Sequence, residues 1–174
     1  GASRSGRKRT SLNSVKVLRI CTQMNEELNQ HQKFVVLVHL LEFIHADNLV
    51  TEQENEFVMI VADTFNIGQE DFARCKAFIC AAAEVHADAD NLLYINAAVE
   101  NKYGKAKHLH AHGLNGEMRV LHVPSVNLYV IRYNGSDDVL LNGQRIGRDS
   151  HYVLSNGSSV RPPSGVPIYY SDIL

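Results

Sequence analysis

Proline is missing from the first 123 residues, and all four prolines fall beyond Val123. Without a residue that removes a backbone donor and blocks helix continuation, the first half of the chain is free to form uninterrupted helices. Long apolar runs are missing as well. The longest, Phe34 to Ile44, is broken by His39 and Glu42 and falls short of the roughly 20 residues that span a bilayer, which excludes direct membrane insertion by this stretch. Cysteine is scarce: Cys21, Cys75 and Cys80 are odd in number and have no zinc-ligand spacing. They read as small hydrophobes in a reducing, cytoplasmic compartment rather than as a disulfide framework. A formal net charge of -2 gives no global attraction to nucleic acid or anionic lipid. Enzyme signatures are absent too, with no phosphate-cradling glycine loop before a helix, no Gly-x-Ser-x-Gly elbow and no His-Glu-x-x-His. These absences favour a protein that is not an enzyme.

With 45% hydrophobic and 21% charged residues over 174 positions, the composition is that of a folding globular chain of one large or two small domains. Residues 1–11 carry Arg4, Arg7, Lys8 and Arg9 among Gly and Ser, a disordered basic arm or an expression scar. Helical spacing follows. A first helix is expected from Ser14 to Leu28, with Val15, Leu18, Cys21 and Leu28 on one face, and a second from Gln30 to Ala46. Thr51-Glu52-Gln53-Glu54 is a capping box that opens a third, in which hydroxyl and carboxylate satisfy each other's end amides. Asn66-Ile67-Gly68 stops it, and Asp71 to Ala83 forms a fourth, with Phe72, Cys75, Phe78 and Ile79 inward.

Beyond Asp90 the periodicity changes. Leu92 to Ala97, Met118 to Val123, Leu128 to Tyr133, Val139 to Leu141, Tyr152 to Leu154 and Ile168 to Tyr170 are short runs rich in β-branched and aromatic residues. Asn115-Gly116, Asn134-Gly135, Asn142-Gly143 and Asn156-Gly157 separate several of them. Such dipeptides accept the positive φ of tight hairpins, so an antiparallel meander or sandwich is expected. The fold class is thus α+β by segregated domains: a helical domain over 12–87 and a β domain over 90–174, joined by the polar linker His86-x-Asp88-x-Asp90.

Two groups of residues suggest chemistry. In the stretch Ala46-Asp47-Asn48-Leu49-Val50-Thr51-Glu52-Gln53-Glu54, carboxylates converge near His45; oxygen ligands suit calcium or magnesium, while the same residues also serve as turn and cap. Asp47, Val50, Thr51 and Glu54 resemble the Ala-Asp-Gly-x-Val-Ser/Thr-x-x-Glu signature of the TerB-like, tellurite-resistance-associated helical family, with Asn48 in place of the signature glycine. The resemblance implies an all-helical domain with an acidic, metal-binding site; with His45 close by in sequence, the candidate ligands for a divalent cation are Asp47, Glu54 and His45. The second group, His108, His110 and His112, would share one face of a strand, and reads as exposed edge histidines.

In the β half, Val139-Leu140-Leu141-Asn142-Gly143-Gln144-Arg145-Ile146 and Tyr152-Val153-Leu154-Ser155-Asn156-Gly157-Ser158-Ser159-Val160 resemble the closing strands of a forkhead-associated (FHA) domain. The Gly-Arg and Ser-x-x-His that hold phosphothreonine in that family are not found, so an FHA-like sandwich serving as a docking surface is expected. A TerB-like domain followed by an FHA-like one is similar to the cytoplasmic leader of bacterial ABC-type transport ATPases. On that resemblance the chain is a fragment of such a protein, with its nucleotide site elsewhere and a protein or another domain of the same polypeptide as partner. The other function class these residues allow is a metal-dependent hydrolase using Asp47, Glu54 and His45.

Overall fold

The computed structural model describes residues 15–16, 18–46, 49–163 and 165–174. The expected basic arm, Ser14, Asp47 and Asn48 lie outside the described residues. The chain divides into two compact units, the first ending at Cys80 and the second starting at Ala81.

The first unit is four helices: α1 (described at residues 15–16 and 18–27), α2 (Gln30–His45), α3 (Glu52–Thr64) and α4 (Gln69–Cys80). Local chemistry sets the boundaries. Asn29 caps α2 through a capping box with Gln32, and Thr51 caps α3 through the expected box with Glu54. Asn66, at φ 56°, supplies the left-handed residue that ends α3, a conformation asparagine tolerates better than most residues. α2 turns Phe34, Leu37, Val38, Leu41 and Ile44 inward, at the spacing of a buried helical stripe. Val58, Val61 and Ala62 of α3 and Cys75, Phe78 and Ile79 of α4 are buried likewise. Lys76 Nζ donates to Asn55 Oδ1 at 3.0 Å, and Gln30 Nε2 to the Phe65 carbonyl at 3.0 Å, tying α4 to α3 and α2 to the end of α3.

Three helical expectations are corrected. On α1, Cys21 is buried, but Val15 and Leu18 of the same expected face are exposed, since a stripe of apolar residues marks a face without fixing how much of it is covered. α4 ends at Cys80 rather than Ala83, and the carbonyls of Ala81, Ala82, Ala83 and Val85 accept from Arg119 and Arg132. Cys80, expected to be buried, is exposed.

The second unit is a β sandwich. One sheet has the order β2-β1-β3-β4-β7, from β1 (Leu92–Asn96), β2 (Lys107–His110), β3 (Glu117–Val123), β4 (Leu128–Asn134) and β7 (His151–Leu154). The other runs β6-β5-β8-β9, from β5 (Leu140–Leu141), β6 (Gln144–Arg145), β8 (Ser159–Arg161) and β9 (Ile168–Tyr169), followed by α5 (Tyr170–Ile173). Leu93, Ile95, Met118, Val120, Tyr129 and Ile131 of the first sheet share one core with Val139, Val160, Ile168 and Ile173. Pairing is antiparallel except between β1 and β2, which run parallel, with Leu93 opposite Lys107 and Asn96 opposite His110; β2 was not among the expected strands.

Of the four Asn-Gly pairs, Asn142-Gly143 alone has both residues at positive φ, 51° and 83°, and it makes the two-residue turn between β5 and β6. The β3–β4 turn instead uses Pro124–Val126 and the left-handed Asn127. Gly116 has a second requirement besides its own positive φ of 78°. A Cβ there would stand 2.1 Å from the Asn134 carbonyl oxygen, so the close approach of two loops, rather than a hairpin, demands glycine.

Candidate functional site

The α2–α3 connection carries two of the three expected metal ligands within the described residues. His45 closes α2, and its Nδ1 lies 2.9 Å from the Leu41 carbonyl. A carbonyl only accepts, so Nδ1 holds the hydrogen and Nε2 of the neutral ring keeps its lone pair. Glu54 sits at the third position of α3, where its Oε1 accepts from Thr51 N at 3.2 Å and from Thr51 Oγ1 at 3.0 Å. The cap therefore engages one carboxylate oxygen and leaves Oε2 outside it. The third expected ligand, Asp47, lies outside the described residues. Among the described residues no three His, Cys, Asp or Glu side chains stand close enough together to hold a metal ion.

A denser polar cluster lies on the outer face of the β1–β3–β4 sheet. Arg119 and Arg132 are opposite one another on β3 and β4, and both are buried. The Arg119 guanidinium donates to the carbonyls of Ala82 (3.3 Å), Ala83 and Val85 (2.7 Å), and its Nε donates to Glu117 Oε2 at 3.2 Å. Arg132 donates to the Ala81 carbonyl and to Asp149 Oδ1 at 3.1 Å. Glu117 spends its remaining capacity on His86 Nε2 at 2.7 Å and Asn96 Nδ2 at 3.0 Å. Asn96 Oδ1 in turn accepts from His108 Nε2 at 2.7 Å. The His86 ring stacks on Tyr103, centroids 4.2 Å apart, beside Tyr94. Burial pushes the Tyr94 phenol up against the opposing effect of Arg119, and its hydroxyl donates to the Ala87 carbonyl at 2.9 Å.

The stretch 81–88 is thus fastened to the sheet along its length, Asp88 completing the attachment by accepting from the Lys105 amide. His86 and Asp88, expected in a polar linker, are structural partners of the second unit. His108, expected to be an exposed edge residue, is half-buried and bonded, whereas His110 and His112 are exposed. Every donor and acceptor named here has a protein partner, so the cluster reads as a fastening, not as a reactive centre with an open nucleophile. What flagged it in sequence was a lone arginine inside each of two apolar runs, Met118-Arg119-Val120 and Ile131-Arg132-Tyr133.

Four arginines could serve an acidic ligand in the sandwich, and they are spread over several elements: Arg132 on β4 is engaged as above, Arg145 on β6 pairs with Asp138 at 2.8 Å, Arg148 lies exposed after β6, and Arg161 lies exposed on β8.

Residues 5–77 match the family model described as tellurite resistance protein TerB. The match spans the helices up to the body of α4 and includes the α2–α3 connection with His45, Asp47 and Glu54, and it leaves the sandwich outside. No curated protein and no solved structure matches the chain. Among the described residues no helix is long and apolar enough to cross a membrane.

Proposed function

We propose that this chain is a non-catalytic binding and regulatory fragment of a cytoplasmic assembly. Its TerB-matching helices carry a divalent-cation site at the α2–α3 connection, and its sandwich, FHA-like in its closing strands, serves as a protein-docking body. The observation that carries the reading is the TerB match over residues 5–77. Two details support the cation site: His45 Nε2 and Glu54 Oε2 are both left open by the local hydrogen bonds. With Asp47 they form a set of mostly oxygen donors without thiolate, which favours calcium or magnesium over zinc. The order of a TerB-like then an FHA-like domain further favours membership of a larger ABC-type transport ATPase, its nucleotide site lying in another part of the polypeptide. A role outside catalysis is supported by the closed bonding of the buried polar cluster.

Calorimetric titration of the chain with calcium chloride, and separately with magnesium chloride, tests the site. Saturable heat that Asp47→Ala removes and Glu54→Gln weakens is expected. Heat unchanged in Asp47→Ala, or tight zinc binding that depends on His108 and His110, would overturn the assignment.

A further inference from the structure

The helical unit has an open groove of about 300 Å³ lined by Met59, Ile60, Ala62, Ile67 and Phe72, with Asp63 and Gln69 at its rim. Met59 is 56% exposed although its neighbours in the groove are buried or half-buried. Its surroundings on α3 are acidic. Glu52, Glu56, Met59 and Asp63 follow one another at helical spacing and all are exposed, so they form one stripe with carboxylates on both sides of the methionine. α3 itself contains no Lys or Arg. On α4, Arg74 is paired with Glu70 at 2.9 Å and Lys76 is bonded to Asn55, so neither cation is free to neutralise the stripe. Asp63 enters no ion pair among the described residues.

From this we infer that the α3–α4 groove is a docking site for a basic amphipathic helix of a protein partner, which seats one apolar side chain against Met59 and places Lys or Arg about one turn to either side. The spacing is set by α3, because Glu56 and Asp63 stand three and four residues from Met59, roughly 4.5 and 6 Å along the axis at 1.5 Å per residue. A helix laid along α3 repeats that rise and meets both carboxylates with cations at i−4 and i+4 of its anchor. Methionine suits such a site because its flexible, polarisable side chain adapts to different apolar anchors. The acidic rim also selects among classes of partner: anionic membrane surfaces and nucleic acids are repelled by it.

The inference rests on the reading of the chain as a binding module and deepens it, naming the chemistry of a partner. The probe is a fluorescein-labelled synthetic helix with one leucine anchor, lysines four residues to either side and alanine elsewhere, titrated by anisotropy into the full chain. Saturable binding that weakens with added salt is expected. Asp63→Lys should weaken it about fivefold, twice the effect of losing one exposed ion pair, and Met59→Asp by more than about tenfold through loss of apolar contact. Both positions are exposed, so the fold is not at stake, and far-UV circular dichroism verifies this. A peptide with the lysines replaced by glutamates should not bind. Equal binding of the two peptides, indifference to both substitutions, or preference for anionic vesicles over the peptide would each overturn the inference. Because calcium uptake is measured at Asp47, its failure would strike the cation site and leave the groove result standing, and the reverse holds equally.

Discussion

Replacing Arg119 with methionine keeps much of the side chain's length while removing its charge and donors. Arg119 is 7% exposed, and its guanidinium makes bonds to three carbonyls and Glu117. Removing one member of a buried pair costs about 3–5 kcal/mol, because the remaining charge is left without its partner. Ala82 and Val85 are themselves exposed, so water recovers part of the loss at their carbonyls, and Glu117 keeps His86 and Asn96. The lower part of the range, about 3 kcal/mol, is therefore expected. For a unit of this size that lowers the melting temperature by more than about 10 °C. The assay is specific to the sandwich: the chain lacks tryptophan and all seven tyrosines lie between Tyr94 and Tyr170, so tyrosine emission during urea unfolding follows the second unit alone. Protease cleavage should also appear between residues 81 and 88 in the variant and not in the parent. Arg145→Met is the control, since its pair with Asp138 has side chains 73% and 66% exposed and exposed pairs contribute about 0–1 kcal/mol. If Arg119→Met costs no more than Arg145→Met, the polar cluster is not what fastens the segment.

Three other outcomes are expected. Thr51→Ala removes the hydroxyl half of the α3 capping box, leaving the backbone N–H of residue 51 on Glu54, and should cost the helical unit about 1 kcal/mol, read as an earlier loss of far-UV ellipticity in urea; no shift would mean the box is frayed in solution. Burial, assisted by the charge of Asp71, pushes the Cys75 thiol from 9.0 up to about 12. The unfolded thiol ionises first, so above pH 9 the folded state holds the extra proton and the helical unit loses stability as pH rises toward 12, the contribution being complete below pH 9. Cys75→Ala should flatten that slope in alkaline denaturation curves, and an unchanged slope would assign it to other groups. The sandwich should not bind a degenerate phosphothreonine peptide library, because its arginines are engaged or dispersed and offer no common pocket for a doubly charged phosphate; micromolar binding abolished by phosphatase treatment would reverse this.

Much of the fold was legible because its signals are local. The α3 start at Thr51, the α2 start at Gln30 and the strand runs from Leu92, Met118 and Leu128 depend on residues within a turn or two of one another, and all appear near the expected positions. The parallel β1–β2 pair was not legible. Its strand, Lys-His-Leu-His, lacks β-branched residues, and only Leu109 faces the core. Edge strands are held by one neighbour and need little intrinsic preference. The Asn-Gly pairs misled in the opposite sense: the dipeptide announces tolerance of positive φ, and tolerance is used at Asn142 but not at Asn134, which instead donates to Asp149 at 2.9 Å.

The same distinction between local and distant information separates the two sites. His45, Asp47 and Glu54 were legible because ten residues of continuous sequence contain them, and the hydrogen bonds of His45 and Glu54 run three or four positions along the chain. The Arg119 cluster joins residues 81–86 with β3 and β4 at separations above thirty residues, and nothing local to Arg119 says which carbonyls it meets. A charged residue in the middle of an apolar strand is nonetheless a constraint with a sign, since a buried guanidinium must find acceptors or the strand cannot bury there. Two such residues in register on neighbouring strands demand a common acceptor-rich cover. The carbonyls of Ala81, Ala82, Ala83 and Val85 meet this demand, because a stretch outside helix and sheet has no ladder to occupy its acceptors. The burial of Arg119 and Arg132 therefore depends on residues 81–85 staying non-helical and laid along the strands.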